Sequence, residues 1–213
     1  MANCFGDVVD NFKLDTMVRY AGEKKSQKDR ALQASLLISE DSKDDKAVKH
    51  VRDLKTWWGN GVSTLCLIYN QTGDTLRWVD DADWFGYIGT TPYPPEIGNG
   101  QWASFLHVKK TAASSGSMAG LVYRGKDGNG RDRDFMLGWS APWGAFYRNK
   151  AYCEVGSVGS FQSRLNNGDL YSRVSNAAYE WDANDRNARC SVRATIERGT
   201  SPLFTTYVKT DYS

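Results

Sequence analysis

The stretch from Gly138 to Tyr152, GWSAPWGAFYRNKAY, gathers Trp143, Phe146, Tyr147 and Tyr152 around Ser140 and a proline turn at Pro142. Indole and phenol faces attract quaternary ammonium groups by roughly 0.5–2 kcal/mol each. They also stack on sugar rings, while a hydroxyl such as that of Ser140 adds one directed hydrogen bond. A proline with fixed φ holds the loop that carries such groups, and loops on a rigid sheet are where recognition side chains usually sit. Ser140, Pro142, Trp143, Tyr147 and Tyr152 are therefore the candidate ligand-binding residues, suited to a glycan or a choline-type headgroup. The plain alternative is an aromatic corner plugging one end of a sheet pair, and the sequence leaves the two readings level.

Other reactive side chains are sparse. The chain has two histidines, His50 and His107, so a His-based mechanism has few possible members. Cys4, Cys66, Cys153 and Cys190 lie far apart with no C-x-x-C pair, which predicts free thiols rather than a zinc or redox site. Asp127-Gly-Asn-Gly-Arg-Asp-Arg-Asp134 has acids near glycines, but an EF-hand register beginning at Asp127 puts arginine fifth and aspartate sixth. That run reads as a hairpin tip. Asp80, Asp81 and Asp83, beside Trp78 and Trp84, read as a solvated acidic loop, with a cation or sugar hydroxyl as the alternative ligand. No phosphate-cradling, zinc-protease or nucleophile-elbow motif occurs, so no metal or cofactor is expected. The chain is expected not to be an enzyme. A cryptic hydrolase or nuclease built on His107, Cys153 and nearby carboxylates is the rival. Asn70-Gln71-Thr72 fits the glycosylation sequon but reads as a turn.

These residues need a scaffold. The chain has 213 residues, 27 Lys+Arg against 25 Asp+Glu, and a formal charge of +2. So balanced a chain has no bulk field for a polyanion, and no nucleic-acid partner is expected. No apolar run reaches the roughly 18 residues a spanning helix needs, and the acidic first residues do not resemble a signal peptide, which predicts a cytoplasmic protein. Residues 57 to 152 hold 7 of the 8 Trp, enough flat side chains for a sandwich core.

Residues 26–58 read as two polar helices. Ser26 with Asp29 forms a capping pair, Leu32, Leu36 and Leu37 recur at helical spacing, and Val48, Val51, Leu54, Lys55 and Trp58 share one side before Gly59-Asn60-Gly61. A shorter helix near Asp7–Tyr20 takes Val8, Val9 and Phe12 as its apolar face. From Val62 the period changes to strands. VSTLCLIYN and TLRWVD read as a hairpin across Asn70–Gly73; QWASFLHVKK is a further strand; AGLVYRG and DFMLGWS flank a glycine turn, with Phe135, Leu137 and Trp139 on one face. YCEV, NARCSVRATIE and LFTTYV follow. In NARCSVRATIE, Cys190, Val192, Ala194 and Ile196 point inward, and its regular alternation would allow it to be an edge that pairs with a second copy. The polar stretch between residues 161 and 187 is the least readable, part of it a helix on the side of the sheet.

From Gly61 onward the words GVSTLCLIYNQTGDTL, PYPPEIGNGQWASFLHVKK, LVYRGK, LGWSAPW and GTSPLF resemble the plant jasmonate-induced protein family of about this size, which is associated with stress and defence responses. More distantly, the order of features resembles the actinoporin-like sandwich of pore-forming toxins and some fungal lectins. That likeness implies a phosphocholine contact at Ser140, Pro142 and Tyr147. The tyrosine-rich segment completing the toxins' site has no counterpart here.

The fold class expected is therefore α+β, mainly an antiparallel β-sandwich, actinoporin-like, preceded by N-terminal helices, with a helical segment over 1–60 and the sandwich over 61–213. The function expected is non-enzymatic recognition of a glycan or phosphocholine-type lipid headgroup in plant stress or defence, with peripheral membrane contact and homo-oligomerisation open. The alternative is a membrane-permeabilising protein whose N-terminal helices detach and insert.

Overall fold

The computed structural model describes residues 3–144 and 147–212. In chain order the elements begin with β1 (Cys4–Phe5), α1 (Asn11–Asp15), α2 (Gln27–Leu36) and α3 (Lys43–Trp58). Strands β2 (Ser63–Gln71), β3 (Leu76–Phe85), β4 (Tyr87–Ile88), β5 (Glu96–Ile97) and β6 (Trp102–Val108) come next. The hairpin β7 (Ser117–Lys126) and β8 (Asp132–Ala141) leads to β9 (Lys150–Gly156), and then to α4 (Gln162–Asn166) and α5 (Asp169–Ser175). Strands β10 (Glu180–Asp185), β11 (Cys190–Ile196) and β12 (Leu203–Thr210) close the chain.

The strands form two sheets. One runs β1-β6-β2-β12-β11-β10 with β4 also on β6; the other runs β5-β3-β7-β8-β9. All pairings are antiparallel except β12 with β2. The core between the sheets takes Cys66, Ile68, Phe105 and Val192 from the first and Leu121, Phe135, Leu137 and Trp139 from the second. The inward faces expected for β8 and β11 are those observed.

Strand β2 is apolar over its middle, Leu65–Ile68, because it is buried there on both faces. Its outward Leu65, Leu67 and Tyr69 pack under α3, against Ala47 and Val51. An isolated helix of this length is marginal in water, so this packing is what holds α3. Side chains that donate to backbone carbonyls add fixed points: Tyr69 Oη to Ala34, Trp102 Nε1 to Ile38, the buried Lys43 Nζ to Gly100, and Gln27 Nε2 to Thr72 and Asp127. On the far side, α4 and α5 lay Leu165, Leu170 and Val174 over Met118, Val122 and Met136 of the second sheet.

Several sequence expectations change. The run 62–80 is not a hairpin: β6 and β12 occupy both edges of β2, and the Asn70–Gly73 turn carries the chain across to the other sheet. Asn70 builds that crossing, donating Nδ2 to Asp74 and Ile97 carbonyls while Oδ1 accepts from Thr72. Asp80, Asp81 and Asp83 lie on strand β3, not in a loop; two β-bulges, at Trp78/Asp80 and Asp83/Phe85, break the alternation that would have shown it. The strand NARCSVRATIE is no edge, because β10 covers it. In α2 the inward residues are Ala31 and Ala34, with Leu36 61% exposed; Ala34 packs against Val9, Leu14 and Tyr20 of the preceding segment. In the first segment Val9, Leu14 and Tyr20 are inward and Phe12 is 79% exposed. The segment before residue 61 also contributes strand β1, paired to β6.

Candidate functional site

Met118 on β7, Ser140 on β8 and Lys150 on β9 are register partners in one row across the second sheet. Trp139 points into the core, so by alternation Ser140 points to the opposite, helix-covered face. This row floors an open cavity of about 690 Å³ at the end of the sheet. Pro142, Trp143 and Tyr147 form one wall, and Phe85 from the end of β3 and Tyr171 from α5 form the other. Tyr171 is braced edge-on by Trp84, with ring centroids 5.9 Å apart, and by Phe85, at 6.1 Å. Lys150 is fixed at the floor by donating Nζ to the Ala177 carbonyl, 2.8 Å away. Trp143 is 53% exposed and Tyr147 70% exposed, so the two rings are open to solvent rather than serving as core plugs.

The loop has a second side. Pro142, Trp143, Tyr147 and Arg148 also line a cavity of about 810 Å³ bounded by Tyr179, Arg198 and Thr200. There Asn149 donates Nδ2 to the carbonyls of Glu197 and Gly199, tying the loop's exit to the turn before β12.

Of the candidate residues, the structure thus brings Ser140, Pro142, Trp143 and Tyr147 to one cavity. Phe146 lies outside the described residues. Tyr152 does not line the cavity. Two positions along β9 from Lys150, it is buried under α5, where its hydroxyl donates to Glu154 and its ring packs on Trp181. Burial, then that hydrogen bond and the charge of Glu154, push the Tyr152 phenol up to about 12. Phe85 and Tyr171 were missed. Phe85 follows a bulge, Tyr171 sits in the polar stretch that resisted reading, and their aromatic character was the one available signal.

The histidine chemistry resolves differently. His107 Nε2 donates to Asp83 Oδ1 at 3.0 Å, and its Nδ1 lies 2.8 Å from Ser117 Oγ. Those are the bonds of a nucleophile, base and acid. However, Ser117 is fully buried, its hydroxyl also pairs with Thr64 at 2.7 Å, and it lines neither cavity beside the loop. A serine with no route to substrate serves as a structural link. Burial pushes the His107 imidazole down despite Asp83, so it is the neutral ring that donates to the carboxylate. Cys153 is elsewhere, its thiol against the Trp181 and Val192 carbonyls and pushed by burial up to about 12. The hydrolase set is not assembled. Asp127 accepts from the Asn129 and Arg131 amides and from Arg133, which makes it the organiser of the β7–β8 turn. Among the described residues, no His, Cys, Asp and Glu cluster could hold a metal ion.

Residues 5–210 match the Nakanori-like protein family. The chain belongs to that family. A 23 kDa jasmonate-induced protein of Hordeum vulgare is 38% identical over 168 residues, spanning 74% of this chain and 79% of the relative. A jasmonate-induced protein homolog of Atriplex canescens is 28% identical over 103 residues, 47% of this chain and 55% of the relative. The crystal structure of Nakanori, described as a lipid binding protein, superposes with a TM-score of 0.86 at 24% identity, covering 96% of this chain and 98% of that one. The expected kinship with jasmonate-induced plant proteins and the mainly antiparallel sandwich both hold, and these relatives carry no enzyme names. No described helix is long and apolar enough to cross a membrane.

Proposed function

We propose that this Nakanori-like protein is a non-enzymatic receptor for a lipid headgroup or glycan, bound in the cavity between the Trp143–Tyr147 loop and Tyr171. The observation that carries this reading is the pair of exposed rings facing an open cavity whose floor holds a hydroxyl and an ammonium group. Ring faces accept a choline-type cation or a sugar face, Ser140 binds a hydroxyl or phosphoryl oxygen, and Lys150 favours an attached phosphate. The description of Nakanori as lipid binding supports the lipid side of the reading. The exposed aromatics also suit shallow contact with a membrane surface, where amphipathic rings are at home.

Flotation with phosphatidylcholine/sphingomyelin vesicles, run beside a glycan array, tests it. Trp143→Ala is expected to weaken binding about tenfold, the equivalent of roughly 1.4 kcal/mol. Undiminished binding, or no ligand on either platform, would refute the reading. Pore formation by released N-terminal helices is not part of it, because the side-chain bonds of Lys43, Tyr69, Trp102 and Gln27 hold those helices to the first sheet.

A further inference from the structure

A second cleft of about 740 Å³ lies at the other end of the sandwich and takes no part in the aromatic site. The pairing register places it. Leu203, at the start of β12, pairs with Leu65 near the turn that bounds the aromatic loop, whereas Lys209 pairs with Gln71 at the far end. Eight residues of β12 separate the two ends by roughly 25 Å.

Four exposed cations from three segments line the cleft: Lys28 in the first turn of α2, Arg186 and Arg189 in the β10–β11 turn, and Lys209 at the end of β12. Their one carboxylate is Asp211, which is already engaged by Lys209 Nζ at 3.2 Å and by the Ser191 hydroxyl at 2.9 Å. Lys28, Arg186 and Arg189 make no ion pair among the described residues. The chain as a whole is nearly neutral, so this concentration of uncompensated charge is local. Gln71 and Asn184 supply amides, and the Tyr212 phenol stands on the same wall with its hydroxyl buried beside Thr210. Two guanidinium forks are the groups that recognise phosphate bidentately, and amides recognise hydroxyls.

We infer that this cleft is a second binding site, for a phosphorylated polyol: the phosphate lies between Arg186 and Arg189 with Lys28 and Lys209 flanking, and the hydroxyls face Gln71 and Asn184. The same chemistry is offered by a soluble sugar phosphate and by a phosphoinositide headgroup. The inference does not rest on the function proposed for the aromatic loop.

Calorimetry of the full chain with myo-inositol trisphosphate, and flotation with choline-free phosphatidylethanolamine vesicles with and without phosphatidylinositol monophosphate, test it. One-to-one saturable binding of the soluble probe is expected, with unphosphorylated myo-inositol inert. Arg186→Gln with Arg189→Gln is expected to weaken binding about tenfold or more, since each lost charged hydrogen bond is a sizeable fraction of such an affinity. Lys28→Gln, on a different element, gives a smaller loss in the same direction and guards against local misfolding of the turn. Binding of the soluble probe alone identifies a free metabolite as the source, and binding of both probes a lipid headgroup. No saturable binding of either, equal binding of unphosphorylated inositol, or affinities indifferent to the arginine and lysine changes overturns the inference.

Discussion

Asn70 shows how much one side chain decides. Its amide is fully buried and all its partners are backbone groups or Thr72, so no glycan can be attached in the folded state despite the sequon. Asn70→Ala strands the Ile97 and Asp74 carbonyls and the Thr72 amide, and is expected to destabilise the protein by on the order of 3 kcal/mol, measured by urea unfolding. His107 is expected to set an acid sensitivity. Burial holds the folded imidazole below 6.5 while the unfolded one protonates near 6.5, so the unfolded chain binds more protons in that window. Stability is therefore full above pH 6.5 and falls as pH drops below it; His50, also lowered by burial, adds in the same direction. Asp83 acts separately. Burial raises its carboxyl, but the bonds from His107 and Tyr93 outweigh that and hold it below 3.8, so its contribution is lost only at still lower pH. Unfolding midpoints between pH 7 and 5 should fall for the wild type and flatten in His107→Gln; an equal slope in both would show that His107 is not the group responsible. Trp143 and Tyr147 were legible as candidates because rings beside a proline turn are conspicuous. Tyr152 misled because its partner Glu154, not its spacing, determines where its hydroxyl goes.

Among the elements, the least readable ones are those whose order comes from a neighbour. Strand β7 presents Gly120 and β8 presents Gly138 as register partners, leaving a shallow trough on the outer face of the second sheet. Leu165 of α4 and Val174 of α5 fill it: a Cβ on Gly120 would come within 3.0 Å of Leu165 Cδ2, and one on Gly138 within 2.6 Å of Val174 Cγ2. These glycines are needed for close approach rather than for a turn. Gly138→Ala is expected to cost roughly 1–3 kcal/mol of overpacking. It should loosen α5, seen as faster amide exchange over residues 169–175 with β11 and β12 unchanged. Since Tyr171 rides on α5, the same variant should weaken ligand retention in the aromatic cavity. The paired glycines were the sequence signal for those helices. The leucines of α2 gave the opposite lesson, because helical spacing names a face but does not say which neighbour will cover it. Ala34 takes the inward place against Val9, Leu14 and Tyr20, and Leu32 is left to wall the basic cleft.

For the whole molecule, the question is whether copies associate through an open edge. Strand β10 is the exposed margin of the first sheet, and it carries Glu180, Asp182 and Asp185 around Trp181; the opposite margin is formed by β1 and β4, two residues each. Charged or very short edges resist pairing with another copy. Light scattering at neutral pH is expected to give a monomer of 23.8 kDa, and a stable dimer would contradict it. The amino-acid order by itself determined the succession of polar helices and apolar strands, the inward faces of β8 and β11, and the aromatic proline loop, because periodicity and turn chemistry act within a few residues. Only the tertiary structure decided that β2 and β3 belong to different sheets, that Phe85 and Tyr171 meet Trp143 across one cavity, and that Lys28, Arg186, Arg189 and Lys209 share another. Those outcomes depend on which edges are already occupied and on contacts between residues tens to well over a hundred positions apart, which no local pattern encodes.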